Sequence, residues 1–256
     1  MSEDILFRVA DRVAVITLNR PEKLNAVTRA MVSAIVTAVR ECNDNDEVRC
    51  VLLTGAGDKA FCAGSDIREL DGYETPWQFR NRSDYCDAIR TLLKPSICAV
   101  NGYAFGGGLE AAMTCDIRIA SDNAQFAAPE IKLGWIGGGG MAVHLAHSVG
   151  MSNAALMIMT GDPIGAAKAL AWGLVSEVLP SGRLMERALE IAKTIASRAP
   201  IAAETAKLNL RAAHTMSPEQ AFAYERDLQA ICFATEDARE GLAAFKEKRD
   251  PVFRRR

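Results

Sequence analysis

Asn101-Gly102-Tyr103-Ala104-Phe105-Gly106-Gly107-Gly108-Leu109-Glu110 begins on the last residue of the run 97–101. A short apolar run closed by glycine reads as a buried strand, and the residues after the glycines read as a helix. Three glycines between a strand and a helix have two readings. They let a ligand approach the backbone closely, or they let strand and helix pack in direct contact. Glycine loses much conformational freedom on folding, so a helix does not open this way without such a reason. Glu110 falls in the first turns of that helix, among Leu109, Ala111, Ala112 and Met113. It is either a first-turn charge complementing the helix dipole or a desolvated acid–base group.

Further strands lie on either side of this stretch. Residues 48–54 form a short apolar strand closed by Gly55-Ala56-Gly57, and residues 117–120 read as another. Nearer the start, residues 5–9 and 13–18 alternate apolar and polar positions around Ala10-Asp11-Arg12, the pattern of a hairpin. Thr28 is placed to cap a helix carrying Met31, Ile35, Ala38 and Val39. From about Ser148 the character turns helical. Gly165 and Gly173 bracket a short helix, and Leu184, Ala188, Ile191 and Ile195 mark a longer amphipathic one. Ser217-Pro218-Glu219-Gln220 is a capping-box start, and Thr235 caps a last helix that ends before Pro251. The pattern predicts an α/β chain with a helical last third, without a fixed-period repeat or a low-complexity linker.

With 256 residues, 49% hydrophobic and 24% charged, the chain can fill a substantial core. A net charge of -2 gives no reason to expect nucleic acid or a membrane surface as partner. The seven cysteines include no CxxC pair, which fits a reducing compartment. The acidic start lacks the features of a signal peptide, so a cytoplasmic location is expected.

Other stretches are candidates for chemistry. Gly55-x-Gly57-x-x-Ala60 formally matches a dinucleotide fingerprint, but no helical periodicity follows it, and a turn is the better reading. Phe61-Cys62-Ala63-Gly64-Ser65-Asp66-Ile67 passes from a strand end into a helix start and leaves amides free for an anion or a polarised carbonyl. Glu130 lies in an apolar stretch before Gly137 to Gly140, and is either buried or paired with Lys132 or Arg118. His144 and His147 have no accompanying ligand pattern and read as structural, and no metal is expected. Neither a G-x-S-x-G elbow nor an H-E-x-x-H motif occurs.

Taken together and in order, these stretches resemble the enoyl-CoA hydratase/isomerase (crotonase) family. The resemblance rests on Asn19-Arg20-Pro21 with Asn25-Ala26, Phe61 to Asp66, Asn101 to Glu110, Cys115-Asp116 and Ala127 to Gly134. Thr160-Gly161, Gly173-Leu174-Val175, Glu240-Gly241 and Phe245 to Arg249 extend it over nearly the whole chain. It implies a spiral of ββα turns (residues 1–195) and a helical C-terminal region (196–256) that assembles trimers, often paired into hexamers. By the same resemblance, the backbone amides of Ser65 and Gly107 form an oxyanion hole. Lys23, Leu24, Ala26, Ala63 and Ile67 contact coenzyme A, and Lys248 of a neighbouring subunit approaches its phosphates. Arg254 to Arg256 read as a solvated tail.

The resemblance also implies an acyl-CoA substrate, coenzyme A being part of it, and no separate cofactor. Hydratases of the family carry glutamates at the positions of Glu110 and Glu130, whereas many isomerases keep one. The expected reaction is therefore hydration of 2-enoyl-CoA, with Glu110 assisting water and Glu130 supplying the proton. Some positions depart from the hydratase pattern. Hydratases commonly have proline at Gly137, a Gly-Thr-Gln-Arg-like run at Met141-Ala142-Val143-His144, and glutamine at Ala128. Tyr103-Ala104-Phe105 and the Lys248 to Phe253 ending are similar to carnitinyl-CoA dehydratase, the alternative within the family beside enoyl-CoA isomerase. A catalytically silent binding protein is the alternative outside enzymes.

Overall fold

The computed structural model describes residues 3–70 and 72–256. Strands β1 (Ile5–Ala10) and β2 (Val13–Leu18) form the expected hairpin, antiparallel from Ile5 opposite Leu18 to Ala10 opposite Val13. Asp11 and Arg12 turn the chain with φ of 51° and 64°. Positive φ at both turn residues matches the twist of the paired strands. Helix α1 (Arg29–Asp44) starts where Thr28 accepts the Met31 amide at 3.2 Å, and it buries Met31, Ile35, Ala38, Val39 and Cys42.

A spiral follows. Strands β3 (Cys50–Gly55) and β4 (Ala60–Cys62) lead into the short helices α2 (Ile67–Leu70), α3 (Pro76–Arg80) and α4 (Tyr85–Arg90). Strands β5 (Ser96–Val100) and β6 (Tyr103–Phe105) lead into α5 (Gly107–Thr114), and β7 (Ile117–Ser121) and β8 (Gln125–Ala127) begin the next turn. In each turn the first strand joins a large sheet and the second joins a small one. Thus β3, β5 and β7 are parallel neighbours, as are β4, β6 and β8. After a single-turn helix (Pro129–Leu133) come α6 (Met141–Val149), α7 (Met151–Thr160), β9 (Ile164–Gly165), α8 (Ala166–Ala171) and β10 (Glu177–Leu179). The large sheet runs β1-β2-β3-β5-β7-β10 and the small one β4-β6-β8-β9. Three-residue strands are too short for a period to show, and the sequence reading missed β6 and β8 and caught only the end of β4 at Phe61-Cys62. The chemical sequence does not repeat, yet the ββα unit does.

Both faces of the large sheet are covered, which is why its strands are almost continuously apolar. Ile16, Val51, Leu53, Cys98 and Val100 face α1, α5 and the small sheet. Val13, Val15, Leu52, Ile97 and Ile119 face α9 (Leu184–Ala196) through Leu184, Ala188, Ala192 and Ala196. All seven cysteines are free and six are buried. No helix among the described residues is long and apolar enough to cross a membrane.

Helices α10 (Pro200–Ala212), α11 (Pro218–Phe233) and α12 (Glu236–Glu247) follow, with the Ser217 capping box formed. Buried charges tie α10 to the spiral. Lys207 pairs with Asp116 at 2.8 Å and donates to the Lys94 carbonyl at 2.9 Å, and Lys94 reaches Glu204 at 3.2 Å. Of the tail expected to be solvated, Arg254 and Arg256 are exposed, but its backbone and the Arg255 side chain are tied down. Buried Asp237, in the first turn of α12, accepts the amides of Arg254 at 2.6 Å and Arg255 at 2.9 Å. Arg255 also pairs with Glu204 and Asp46, and Arg49 donates to the Phe253 carbonyl at 2.8 Å. Asp237 is one of many acidic residues in the sequence, and nothing local marks it as the anchor.

Packing is tight where α5 meets β4. A Cβ on Gly108 would overlap the carbonyl oxygen and carbonyl carbon of Cys62. Overpacking against rigid backbone typically costs about 1–3 kcal/mol, sometimes more. Gly108→Ala is therefore expected to lower the urea midpoint by at least that equivalent. Gly182→Ala, where a Cβ meets nothing within 4 Å, serves as the control and is expected to be neutral or slightly stabilising.

Candidate active site

Residues 23–27 and 63–66 run side by side. Ala63 donates to the Leu24 carbonyl at 3.0 Å, Val27 to Gly64 at 2.8 Å, and Asp66 to Val27 at 2.8 Å. Fully buried Asn25 locks this ledge by donating to the carbonyls of Ala56 at 3.0 Å and Ala60 at 2.8 Å. Arg20 ties Ala26 to Asp66 with bonds of 2.7 and 3.3 Å. Lys23, Leu24, Ala26, Ala63 and Ile67, named separately from the sequence, are thus brought together. Lys248 stands at the C-cap of α12. No hydrogen bond or ion pair among the described residues joins it to the ledge. The Gly55-x-Gly57 stretch is a turn into β4 with no helix, which removes the dinucleotide reading.

The three consecutive glycines prove to have three different neighbours. Gly108 is the packing contact with Cys62. Gly107 is the first residue of α5, and a Cβ there would strike the Tyr85 hydroxyl. Gly106 has φ of 56°, and its missing Cβ would lie 2.9 Å from Glu130 Oε1. The packing reading of the triplet is met at Gly108, while Gly107 and Gly106 make room for Tyr85 and Glu130. A Cβ on Gly64 would lie 3.2 Å from the Gly107 amide nitrogen, so the Gly64–Ser65 turn lies directly against the start of α5. The amides of Ser65 and Gly107 have no acceptor among the described residues. A helix N-terminus leaves such amides unpaired and carries partial positive charge.

Glu110 is buried on α5. Its Oε1 accepts the amides of Gly139 at 2.7 Å and Met141 at 3.1 Å. The chain there passes so close that a Cβ on Gly137 would sit 2.7 Å from Oε1 and one on Gly139 2.8 Å from Oε2. Gly137, where the resemblance leads one to expect proline, thus lets the loop close over the carboxylate. Glu130 lies on the single-turn helix after β8, and the pairings considered for it are not made. Lys132 pairs with Asp162 at 2.6 Å, and Arg118 is spent on the carbonyls of Leu174, Met113 and Cys115. Glu130 Oε2 is buried with no partner among the described residues.

Burial pushes both carboxyls above the usual range. For Glu110 the Gly139 and Met141 amides oppose the shift and the charge of Glu130 adds to it. For Glu130 desolvation dominates, opposed only by its own backbone. One carboxyl is therefore supported as an anion, and the other, without external donors, is best accommodated protonated. That is the pairing an acid–base reaction requires.

Two features escaped the sequence reading. Gly139 and Met141 support Glu110 through main-chain amides, which no residue type announces. Tyr85 reaches Gly107 from α4, across about twenty intervening residues and with no motif around it. His147 packs edge-on against His214 at 4.6 Å, and no group of three potential ligands occurs among the described residues.

The enoyl-CoA hydratase/isomerase family model matches residues 8–256. A probable enoyl-CoA hydratase of Mycobacterium bovis is 41% identical, covering 99% of both chains. The mitochondrial enoyl-CoA hydratase of Pongo abelii is 42% identical over 94% of this chain and 83% of its own. An enoyl-CoA hydratase subunit of Geobacillus kaustophilus superposes with a TM-score of 0.93 at 36% identity, covering 99% of this chain and 98% of that one. With the ββα spiral and the paired carboxyls already in place, these likenesses establish that the chain belongs to the enoyl-CoA hydratase/isomerase family.

Proposed function

We propose that this protein catalyses the reversible addition of water to 2-enoyl-CoA thioesters. The observation that carries the reading is the contrast between buried Glu110 and partly buried Glu130 beside two unpaired amides. Glu110 is held by two amide donors and Glu130 Oε2 by none. Family relatives named as enoyl-CoA hydratases support it.

In this mechanism the thioester lies along the ledge of Lys23, Leu24, Ala26, Ala63 and Ile67, with its oxygen between the Ser65 and Gly107 amides. Glu110 takes a proton from water as the water oxygen bonds to C3. The electrons of the C2–C3 double bond move towards the thioester, whose oxygen becomes an enolate held by the two amides. Glu130 then gives its proton to C2. Coupled groups titrate together, so the division of labour describes the dominant protonation state of the pair. The reverse direction uses the same groups for dehydration.

Association is part of the proposal. Phe222, Phe233 and Phe245 on the last helices are exposed, with Phe245 at 84%. Large exposed apolar areas mark interaction surfaces. A trimer, or two trimers paired, would cover them and bring Lys248 to a neighbour's ledge. Sedimentation is expected to give a trimer mass or its multiple, and an active species of monomer mass would exclude this arrangement.

The protein is expected to hydrate crotonyl-CoA without added nicotinamide. Glu110→Gln and Glu130→Gln are each expected to lose about 10²- to 10⁴-fold in kcat. A Glu130→Gln enzyme at parental speed would rule out the two-carboxylate mechanism. The same substitution has a stability signature. Glu130's pKa is raised on folding, so its favourable contribution is complete below the unfolded value, near 4.5, and disappears as pH rises through the folded value. The Glu130→Gln melting temperature should exceed the parent's at pH 8, with the gap closing as pH falls through the raised folded value and fully closed below about 4.5.

The oxyanion assignment gives a contrast between side chain and backbone. Ser65→Ala keeps the amide and should change the rate little. Replacing the Gly107 amide by an ester removes one donor and is expected to cost about 10²- to 10³-fold. Full-speed turnover by a folded, substrate-binding ester variant would remove Gly107 from the oxyanion hole.

A further inference from the structure

Asp84 caps α4 by accepting the Cys86 amide at 2.8 Å and is itself held by Arg82 at 3.3 Å. The helix is packed against α1 and α5, and Cys86 Sγ reaches the Gly107 carbonyl at 3.7 Å. Tyr85, the first residue of this pinned helix, is only 3% exposed. Its hydroxyl is buried and makes no hydrogen bond among the described residues. That hydroxyl sits over Gly107 Cα, in the space where any other residue would carry Cβ. The Ser65 hydroxyl lies near enough to act on the phenol without reaching hydrogen-bonding geometry. The unused hydroxyl therefore abuts both residues whose amides are free.

A buried hydroxyl with no partner destabilises a folded protein, because it has given up water and received nothing. Phenylalanine would fill the same volume and avoid that cost. Groups of this kind, held against a pre-formed pocket, are satisfied by the ligand. Burial keeps the phenol's pKa well above its ordinary value, so it retains its proton and can act only as a donor or acceptor of a hydrogen bond.

We propose that the Tyr85 hydroxyl is a third hydrogen-bond donor of the thioester site, reaching the acyl oxygen beside the amides of Ser65 and Gly107. The proposal rests on the oxyanion reading given above. The phenol transfers no proton. Its bond strengthens as negative charge grows on the oxygen, which places its contribution in the transition state more than in substrate binding.

Tyr85→Phe in the full chain is the test, with two readouts beside the parent enzyme. In steady-state hydration of crotonyl-CoA, kcat/KM is expected to fall about 10- to 100-fold, the range for losing a hydrogen bond to a charged group, with most of the loss in kcat. The thermal midpoint of the free variant should equal or exceed the parent's, since an unsatisfied hydroxyl has gone. The second readout needs no turnover. A cinnamoyl-type CoA thioester absorbs further to the red as its carbonyl is polarised, and the shift on binding should be smaller in Tyr85→Phe. Unchanged kcat/KM with a full red shift would overturn the proposal. A midpoint several degrees lower, with probe binding lost in proportion, would also overturn it by making Tyr85 a structural residue. If the parent binds the probe but does not hydrate crotonyl-CoA, the hydratase reading fails separately, and the red shift still decides for or against Tyr85.

Discussion

Everything in the candidate site depends on how closely the chain leaving β4 approaches the start of α5. At Gly108 there is no room for one carbon atom between the helix and the Cys62 carbonyl. That contact fixes the height at which α5 begins and sets Gly107 against the Gly64–Ser65 turn. A site built from main-chain amides cannot be tuned by rotating side chains. Its geometry is that of the backbone, and the backbone is held here by interior packing. The small sheet serves the same end, because β4, β6 and β8 lie side by side and bring three successive turns of the spiral to one edge. Ser65, Gly107 and Glu130 each follow shortly after one of these strands.

Into this rigid frame the protein places groups it does not satisfy. Glu130 Oε2 and the Tyr85 hydroxyl are buried without partners among the described residues, while charges elsewhere are carefully paired. Lys207 with Asp116, and Arg255 with Glu204, show that the chain supplies partners where only folding is at stake. Of the buried side-chain atoms without a hydrogen bond among the described residues, these two lie beside the pair of free amides, and the third, Lys94 Nζ, faces Glu204 at 3.2 Å. Marginal stability makes such groups expensive, and a strained or under-satisfied locus is where function is ordinarily found.

Much of the scaffold was legible because its signals are local. Thr28 and Ser217 cap helices through their own side chains, and Asp11-Arg12 turns a hairpin whose strands show a clean period of two. Glu110 was legible as a carboxylate among apolar neighbours, and the glycine triplet as a place of close approach. What the residues left open was which approach each glycine serves, since Cys62, Tyr85 and Glu130 lie about 20 to 50 residues away in sequence. The family resemblance supplied the ledge residues, and the observed pairing of residues 23–27 with 63–66 gives a physical reason for their grouping. Tyr85 was illegible for a different reason. A tyrosine opening a short amphipathic helix looks like core, and only the missing partner of its hydroxyl in three dimensions separates it from phenylalanine.

The loop from Gly137 to Gly140 shows how a departure from the family pattern can be read physically. Proline, the residue the resemblance leads one to expect at 137, fixes φ and bulks the chain. Glycine there lets the loop come within a missing Cβ of Glu110 Oε1, with Met141 Cβ on the other side of the same gap. Gly139, two residues on, then directs its amide to the same oxygen. The carboxylate is thus held at Oε1 by two backbone amides, while Oε2 lies beside Gly139 and accepts neither of them. For the base role proposed for Glu110, holding one oxygen on two amides orients the carboxylate before substrate arrives. Glycine at 137 therefore bears on how Glu110 is held, next to the Met141-Ala142-Val143-His144 run that also differs from the hydratase pattern the resemblance implies.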